Sequence, residues 1–295
     1  MSKSIDTKSE TTTLETTAFD ELVGEDIIEF LFAHAPTKVI SRVARALTHY
    51  NRASDLIGLD EEMGAVRLIA AEEELVVAIF EWLKLNDDKF PEHRDFVRKF
   101  KNHVVKLSVY PVIAQFRFIL GDMLKNFSPE GLEFISWSAK PVIDGTSIKL
   151  AIYGAKGEEI FRHTPLAVMI SQDETYGDDV IPSLLADLEE KIRDSRNLTL
   201  KQFLLERADY RNKLLYATDA WGQIVMDDSL EELIGMFKQT YHDLLWVLVI
   251  LIGAEMPSKE WGLVSQFIGL YREVLIKAGV LRADNTVSEI ASDLA

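Results

Sequence analysis

From residue 60 to residue 85 the chain carries an almost unbroken helical run of apolar residues, Val66, Leu68, Ile69, Leu75, Val76, Val77, Ile79 and Phe80. Three consecutive glutamates, Glu72, Glu73 and Glu74, interrupt it at its centre. Adjacent residues on an α-helix are 100° apart, so three in a row span roughly 200° of arc and cannot share one solvent face. Glu72 also stands at three- and four-residue spacing from Leu68, Ile69, Leu75 and Val76. At least one of these side chains, Glu72 or Glu73 foremost, is expected to be a buried carboxylate. Such a group must be paired with a cation or protonated.

A candidate cation source precedes it. Lys38, Arg42, Arg45, His49 and Arg52 recur at spacings of four, three, four and three, which aligns them along one helix face. Ile40, Val43, Leu47 and Tyr50 form an apolar side offset from that stripe. Pro36 and Thr37 mark the helix start and Gly58 its approximate end. Asp60, Glu61 and Glu62 then open the glutamate helix, where acids suit the positive end of the dipole. So short a connection predicts an antiparallel αα-hairpin. Two roles for the stripe stay open. Lys38, Arg42, Arg45 and Arg52 can track a phosphate backbone, or Arg42 or Arg45 can neutralise Glu72 or Glu73.

The whole chain is acidic, 48 Asp and Glu against 32 Lys and Arg, net −16 over 295 residues. That excess argues against sequence-independent DNA binding over the whole surface but leaves room for a local basic groove. With no cysteine, disulfides, thiolate zinc sites and cysteine nucleophiles are excluded. The first residues lack the apolar run of a signal peptide, and the longest apolar stretch, 244–252, is shorter than the about 20 residues a bilayer requires. A soluble, cytoplasmic protein without membrane contact is expected.

Residues 1–24 read as a disordered tail and 25–126 as a first helical part. Within that part, a third helix is expected over 92–109, and Pro111 breaks or kinks the chain before another helix ending near residue 125. Residues 127–172 read as an insert of three alternating segments, 134–142, 147–153 and 159–170, with turn signals at Asp144-Gly145 and Gly154–Gly157. Residues 173–281 form a second helical part, with helices at 181–197, 199–219, 230–253 and 259–278, before a polar tail at 282–295. The expected fold is mainly α, an antiparallel helical bundle with a small three-stranded antiparallel β insert.

Signatures of phosphate-loop, dinucleotide and serine-hydrolase chemistry are absent, as are Glu-x-x-His and His-Glu-x-x-His metal motifs. No cofactor and no metal are expected. A second basic cluster contains Arg94, Arg98, Lys99, His103 and Lys106, five Lys and Arg against two acids over 92–106. A solvated helix face is its plain explanation, and Arg94, Lys99 and Lys106 are its candidate polyanion contacts. His103 follows Arg98 with four residues between them and is the side chain best matched to proton transfer near neutral pH. Further on, Leu204, Ala208, Arg211 and Leu215 share a face, so Arg211, beside Asn212, emerges from an apolar stripe as at a seam between helices or subunits.

A hairpin bearing Ala70-Ala71-Glu72-Glu73-Glu74-Leu75, followed downstream by Arg211-Asn212 and Tyr216, resembles the HEPN superfamily, and within it abortive-infection proteins of the AbiV kind. The resemblance covers roughly 36–85 and 199–253. It implies a cytosolic, dimeric helical protein, and in many members a metal-independent ribonuclease of toxin or phage-defence systems. The family's arginine and polar residue would be Arg211 and Asn212; Tyr216 stands where the family has histidine. A phenol with pKa near 10 is a poor base at neutral pH. Arg98 with His103, and Arg42 with His49, also satisfy the family's loose spacing. The run 41–111 is similar, too, to a group of prokaryotic proteins of unassigned function. The expected activity is binding of RNA or another polyanion, with ribonuclease chemistry at His103 or His49 supported by Arg98, Arg42 or Arg211. The alternative is a non-catalytic homodimeric scaffold whose charges are paired internally. A small-molecule enzyme with Glu72 or Glu73 as base ranks third.

Overall fold

A computed structural model describes residues 17–89, 103–126, 138–154, 156–164, 170, 177–215, 229–253 and 262–282. In chain order its helices are α1 (Thr17–Val23), α2 (Glu25–His34), α3 (Thr37–Ser54), α4 (Glu61–Leu85), α5 (His103–Leu107) and α6 (Val109–Asn126). After three strands, β1 (Ser138–Asp144), β2 (Ser147–Tyr153) and β3 (Glu159–His163), come α7 (Ile181–Arg196), α8 (Leu200–Leu215), α9 (Leu230–Gly253) and α10 (Gly262–Lys277). The protein is mainly helical with one small antiparallel sheet, as the periodicities predict.

The α3–α4 hairpin is the most extensive helix pair. Its antiparallel sense is visible in its cross-links: Arg42 meets Glu74 and His49 meets Arg67, so numbers rise on one helix as they fall on the other. Asp60 caps α4, its carboxylate accepting the Met63 N–H at 3.0 Å. Being apolar almost all round, α4 becomes the central helix, in contact with α3, α5, α8 and α9. Gly64 lets α9 approach, since a Cβ there would overlap the Leu230 side chain at the start of α9. A turn further on, the buried Tyr241 hydroxyl of α9 donates to the Leu68 carbonyl at 2.8 Å. Thr199 with Gln202, and Ser229 with Glu232, form reciprocal capping boxes that set the starts of α8 and α9.

Four expectations change. The tail expected over 1–24 includes helix α1, because Phe19 is fully buried against Tyr50 and Tyr241, ring centroids 6.1 and 6.3 Å apart. One buried aromatic supplies what the surrounding polar composition conceals. The helix expected over 92–109 is seen only as α5, with 90–102 outside the described residues. It ends at Ser108, whose hydroxyl donates to the Val104 carbonyl at 2.6 Å. The break expected at Pro111 falls instead at Ser108, and Pro111 sits in the first turn of α6, where its missing N–H costs nothing. The first strand runs to Asp144 rather than 142, and the third stops at His163 rather than 170.

The sheet has the order β1-β2-β3, and Gly145, at φ +64°, forms the two-residue turn between Asp144 and Ser147. Ile148 and Ile152 of β2 are buried. Gly253, the last residue of α9, lets the sheet approach; a Cβ there would overlap both Ile148 and the Phe30 ring. After β3, Gln266 of α10 grips Ile170 as a strand would, its amide donating to the Ile170 carbonyl at 2.8 Å and accepting the N–H at 2.9 Å.

Candidate functional site

The three glutamates of α4 point to three different helices, and each finds its own cation. Glu72, 1 % exposed, accepts from Arg207 Nη2 of α8 at 2.5 Å. Arg207 also donates from Nε to the Leu107 carbonyl at 3.1 Å and lies over the Tyr110 ring at 5.8 Å. Glu73 accepts from His103 Nδ1 at 2.6 Å and from Lys106 Nζ at 2.9 Å, both on α5. Glu74, the outermost, takes Arg42 of α3 at 2.9 Å. This is the 200° fan of carboxylates foreseen from the sequence. The fan also decides the partners: α3 lies over Glu74 alone, so neither Arg42 nor Arg45 neutralises Glu72 or Glu73.

The neighbours titrate in opposite senses. Burial raises the pKa of Glu72, and the charge and hydrogen bond of Arg207 offset only part of it. Burial pushes Glu73 up as well, but the hydrogen bond from His103 and the charge of Lys106 outweigh it, and its pKa falls below the ordinary value. His103 is thereby oriented by a buried carboxylate through Nδ1, the arrangement that fixes an imidazole for proton transfer.

On α3 the stripe divides. Lys38, Arg45 and Arg52 are exposed and, among the described residues, have no carboxylate partner. The helix itself contains no acid. His49 is half-buried and accepts from Arg67 Nη1 at 3.3 Å through Nδ1, which requires the neutral ring. Its pKa is lowered by burial first and then by Arg67, with Arg52 and Arg45 adding to the effect. A basic residue of α4, Arg67, therefore joins this face.

Of the other candidates, Asn212 is half-buried on α8, and Arg211 lies on the same helix with its side chain outside the described residues. Tyr216, Arg94, Arg98 and Lys99 also lie outside them, and with them the proposed Arg98–His103 pair. His103 and Lys106 come together on Glu73; His49 and Arg42 stay on the α3 face. Sequence reasoning missed Arg207 and Arg67. Arg207 had a signal: it follows Leu200, Phe203 and Leu204 at helical spacing, on the face that packs inward. Among the described residues, no three His, Asp or Glu side chains gather to hold a metal ion, and no helix is long and apolar enough to cross a membrane. No protein-family model, no curated protein and no solved structure matches the chain.

Proposed function

We propose that this protein binds RNA, or another polyanion, along the exposed face of α3, as a HEPN-like helical protein of the AbiV kind. One observation carries the reading. In a chain of net charge −16, α3 has no acid and keeps Lys38, Arg45 and Arg52 exposed without carboxylate partners among the described residues. Arg67, whose Nη1 lies 3.3 Å from His49 Nδ1, adds to the same positive field. Where RNA is also cleaved, the chemistry needs no metal: His103, held by Glu73, moves the proton, and Lys106 beside it stabilises the charged phosphorane. The setting would be cytoplasmic and dimeric, in phage defence or a toxin system.

The test is labelled RNA in EDTA at low salt. Three phosphate contacts on single strands give a slope of about −2 for log K against log salt. Replacing Lys38, Arg45 and Arg52 together by glutamine abolishes binding, and His103→Ala abolishes any cleavage while binding persists. Absence of binding by the unmodified chain at low salt ends the proposal.

A second reading rests on the pairing of Glu72, Glu73 and Glu74, each with its own cation: a non-catalytic homodimeric scaffold with internally neutralised charges. Freshly purified protein would then have no 260 nm excess before or after a high-salt wash, and light scattering would give the mass of two chains.

A further inference from the structure

Where α9 faces α6, one buried aspartate gathers four polar side chains. Asp243, its side chain 4 % exposed, interrupts an apolar helix. Its Oδ1 accepts from Gln239 Nε2 at 2.8 Å and from His242 Nδ1 at 3.2 Å. Its Oδ2 lies 3.3 Å from Arg117 Nε and 3.5 Å from the Tyr110 hydroxyl. A carboxylate this deep is costly unless donors surround it. Here three of the donors reach the surface: Gln239 is exposed, and the side chains of Arg117 and His242 are 54 % and 34 % exposed.

Three of the four, Arg117, His242 and Gln239, use one end on Asp243 and keep the other. Among the described residues, the Nη amino groups of Arg117, Nε2 of His242 and Oε1 of Gln239 carry no further hydrogen bond. A guanidinium anchored through Nε presents a two-amine edge suited to a pair of anionic oxygens. An imidazole held through Nδ1 has its tautomer and orientation fixed. The His242 ring also rests against Trp246, centroids 5.3 Å apart and planes 33° from parallel. Exposed polar groups preorganised by one buried carboxylate are what a binding site needs and a solvated helix face does not.

The geometry points to a phosphoryl-binding site at Arg117 and His242, organised by Asp243, that takes the phosphate group of a nucleotide. Arg117 pairs two phosphate oxygens, His242 in its imidazolium form donates from Nε2 to a third while Nδ1–H stays on Asp243, and Trp246 lies beside the site as a ring against which a base can stack. The phosphate has two sources, a free mononucleotide and an RNA backbone. The site shares no residue with the α3 stripe, so it stands or falls separately from the proposed polyanion face.

The experiment is calorimetric titration of the full chain with inorganic phosphate, with adenosine 5′-monophosphate and with a short RNA, alongside the imidazole resonances of His242. Phosphate or the mononucleotide binds at millimolar concentration or below and shifts the His242 resonances. Arg117→Gln weakens binding at least tenfold, His242→Gln severalfold, and the triple glutamine change on α3 leaves the mononucleotide affinity as it was. Asp243→Asn weakens binding while Arg117 and His242 are still present, as a positioning residue should. Tighter binding of the mononucleotide than of RNA identifies the free nucleotide as source; the reverse order, lost in Arg117→Gln, identifies the backbone. Arg117→Gln takes a donor from the buried Asp243 and should lower the melting temperature, so Arg117→Lys, which keeps the charge and loses the two-amine edge, is measured beside it and should weaken binding severalfold. No heat and no resonance shift with phosphate or mononucleotide overturns the proposal. So does binding that is indifferent to the Arg117 and His242 variants.

Discussion

Two groups of charges on one hairpin meet opposite fates. On α4, three consecutive acids run from the core to the surface, Glu72 at 1 %, Glu73 at 9 % and Glu74 at 19 % side-chain exposure, and each has a cation. On α3, Lys38, Arg45 and Arg52 are exposed, and among the described residues only Arg42 of that stripe is paired with an acid of α4. Burial makes the difference. A carboxylate inside a helix bundle must be answered by a donor, whereas an exposed ammonium or guanidinium is already answered by water. Pairing on this hairpin therefore reports on where the acids are. The cations left over are the ones available to a ligand.

The deepest pair tests this contrast most severely. Replacing Arg207 by methionine strands the Glu72 charge in the core and should destabilise the fold by about 3–5 kcal/mol in denaturant titrations. Glu72→Gln removes the buried charge and leaves Arg207 its bond to the Leu107 carbonyl, so its cost should be smaller, under about 2 kcal/mol. Equal losses in the two variants would mean that burial is not what distinguishes the regions.

The middle acid should give an intermediate effect and a pH signature. Lys106→Met should cost about 1–3 kcal/mol, since Glu73 retains His103. Because the folded pKa of Glu73 is depressed, its contribution is complete above the ordinary glutamate value of 4.5 and is lost as pH falls through the folded value. Glu73→Gln should accordingly flatten the acid side of the stability curve. Glu72 works the other way. Its raised pKa means that the folded state holds its proton longer, so stability declines as pH rises from 4.5 towards the folded value, and Glu72→Gln removes that decline.

At the outer end the effects should fade. Arg42→Gln breaks a pair whose arginine is a third exposed, 33 %, and solvent screening holds the loss to about 0–1 kcal/mol. The combined glutamine change at Lys38, Arg45 and Arg52 should move stability by no more than about 0.5 kcal/mol. A larger loss would place those residues in the scaffold and take them away from any ligand.

Much of this was legible in the residues. The α3–α4 hairpin, the burial forced on adjacent glutamates and the helices within 181–215 and 230–253 follow from periods of the chain, which are local. The β insert was readable from its turn residues, though its strand ends moved by several positions because edge residues pair only where a neighbour exists. Helix α1 escaped because Phe19 is a single aromatic in a polar stretch, and only Tyr50 and Tyr241, both far along the chain, make it a core residue.

The sequence by itself settled that cations must answer buried acids, because apolar periodicity states what goes inside and physics sets the cost of charge there. It could not settle which cation answers which acid. Arg207 lies 135 residues from Glu72, while His103 and Lys106 lie 30 and 33 from Glu73. Partners at those separations are chosen by how helices cross, and crossing is decided by side-chain packing over the whole bundle, through contacts such as Gly64 against Leu230. The same holds for Asp243, whose circle of donors exists only once α6 is laid against α9.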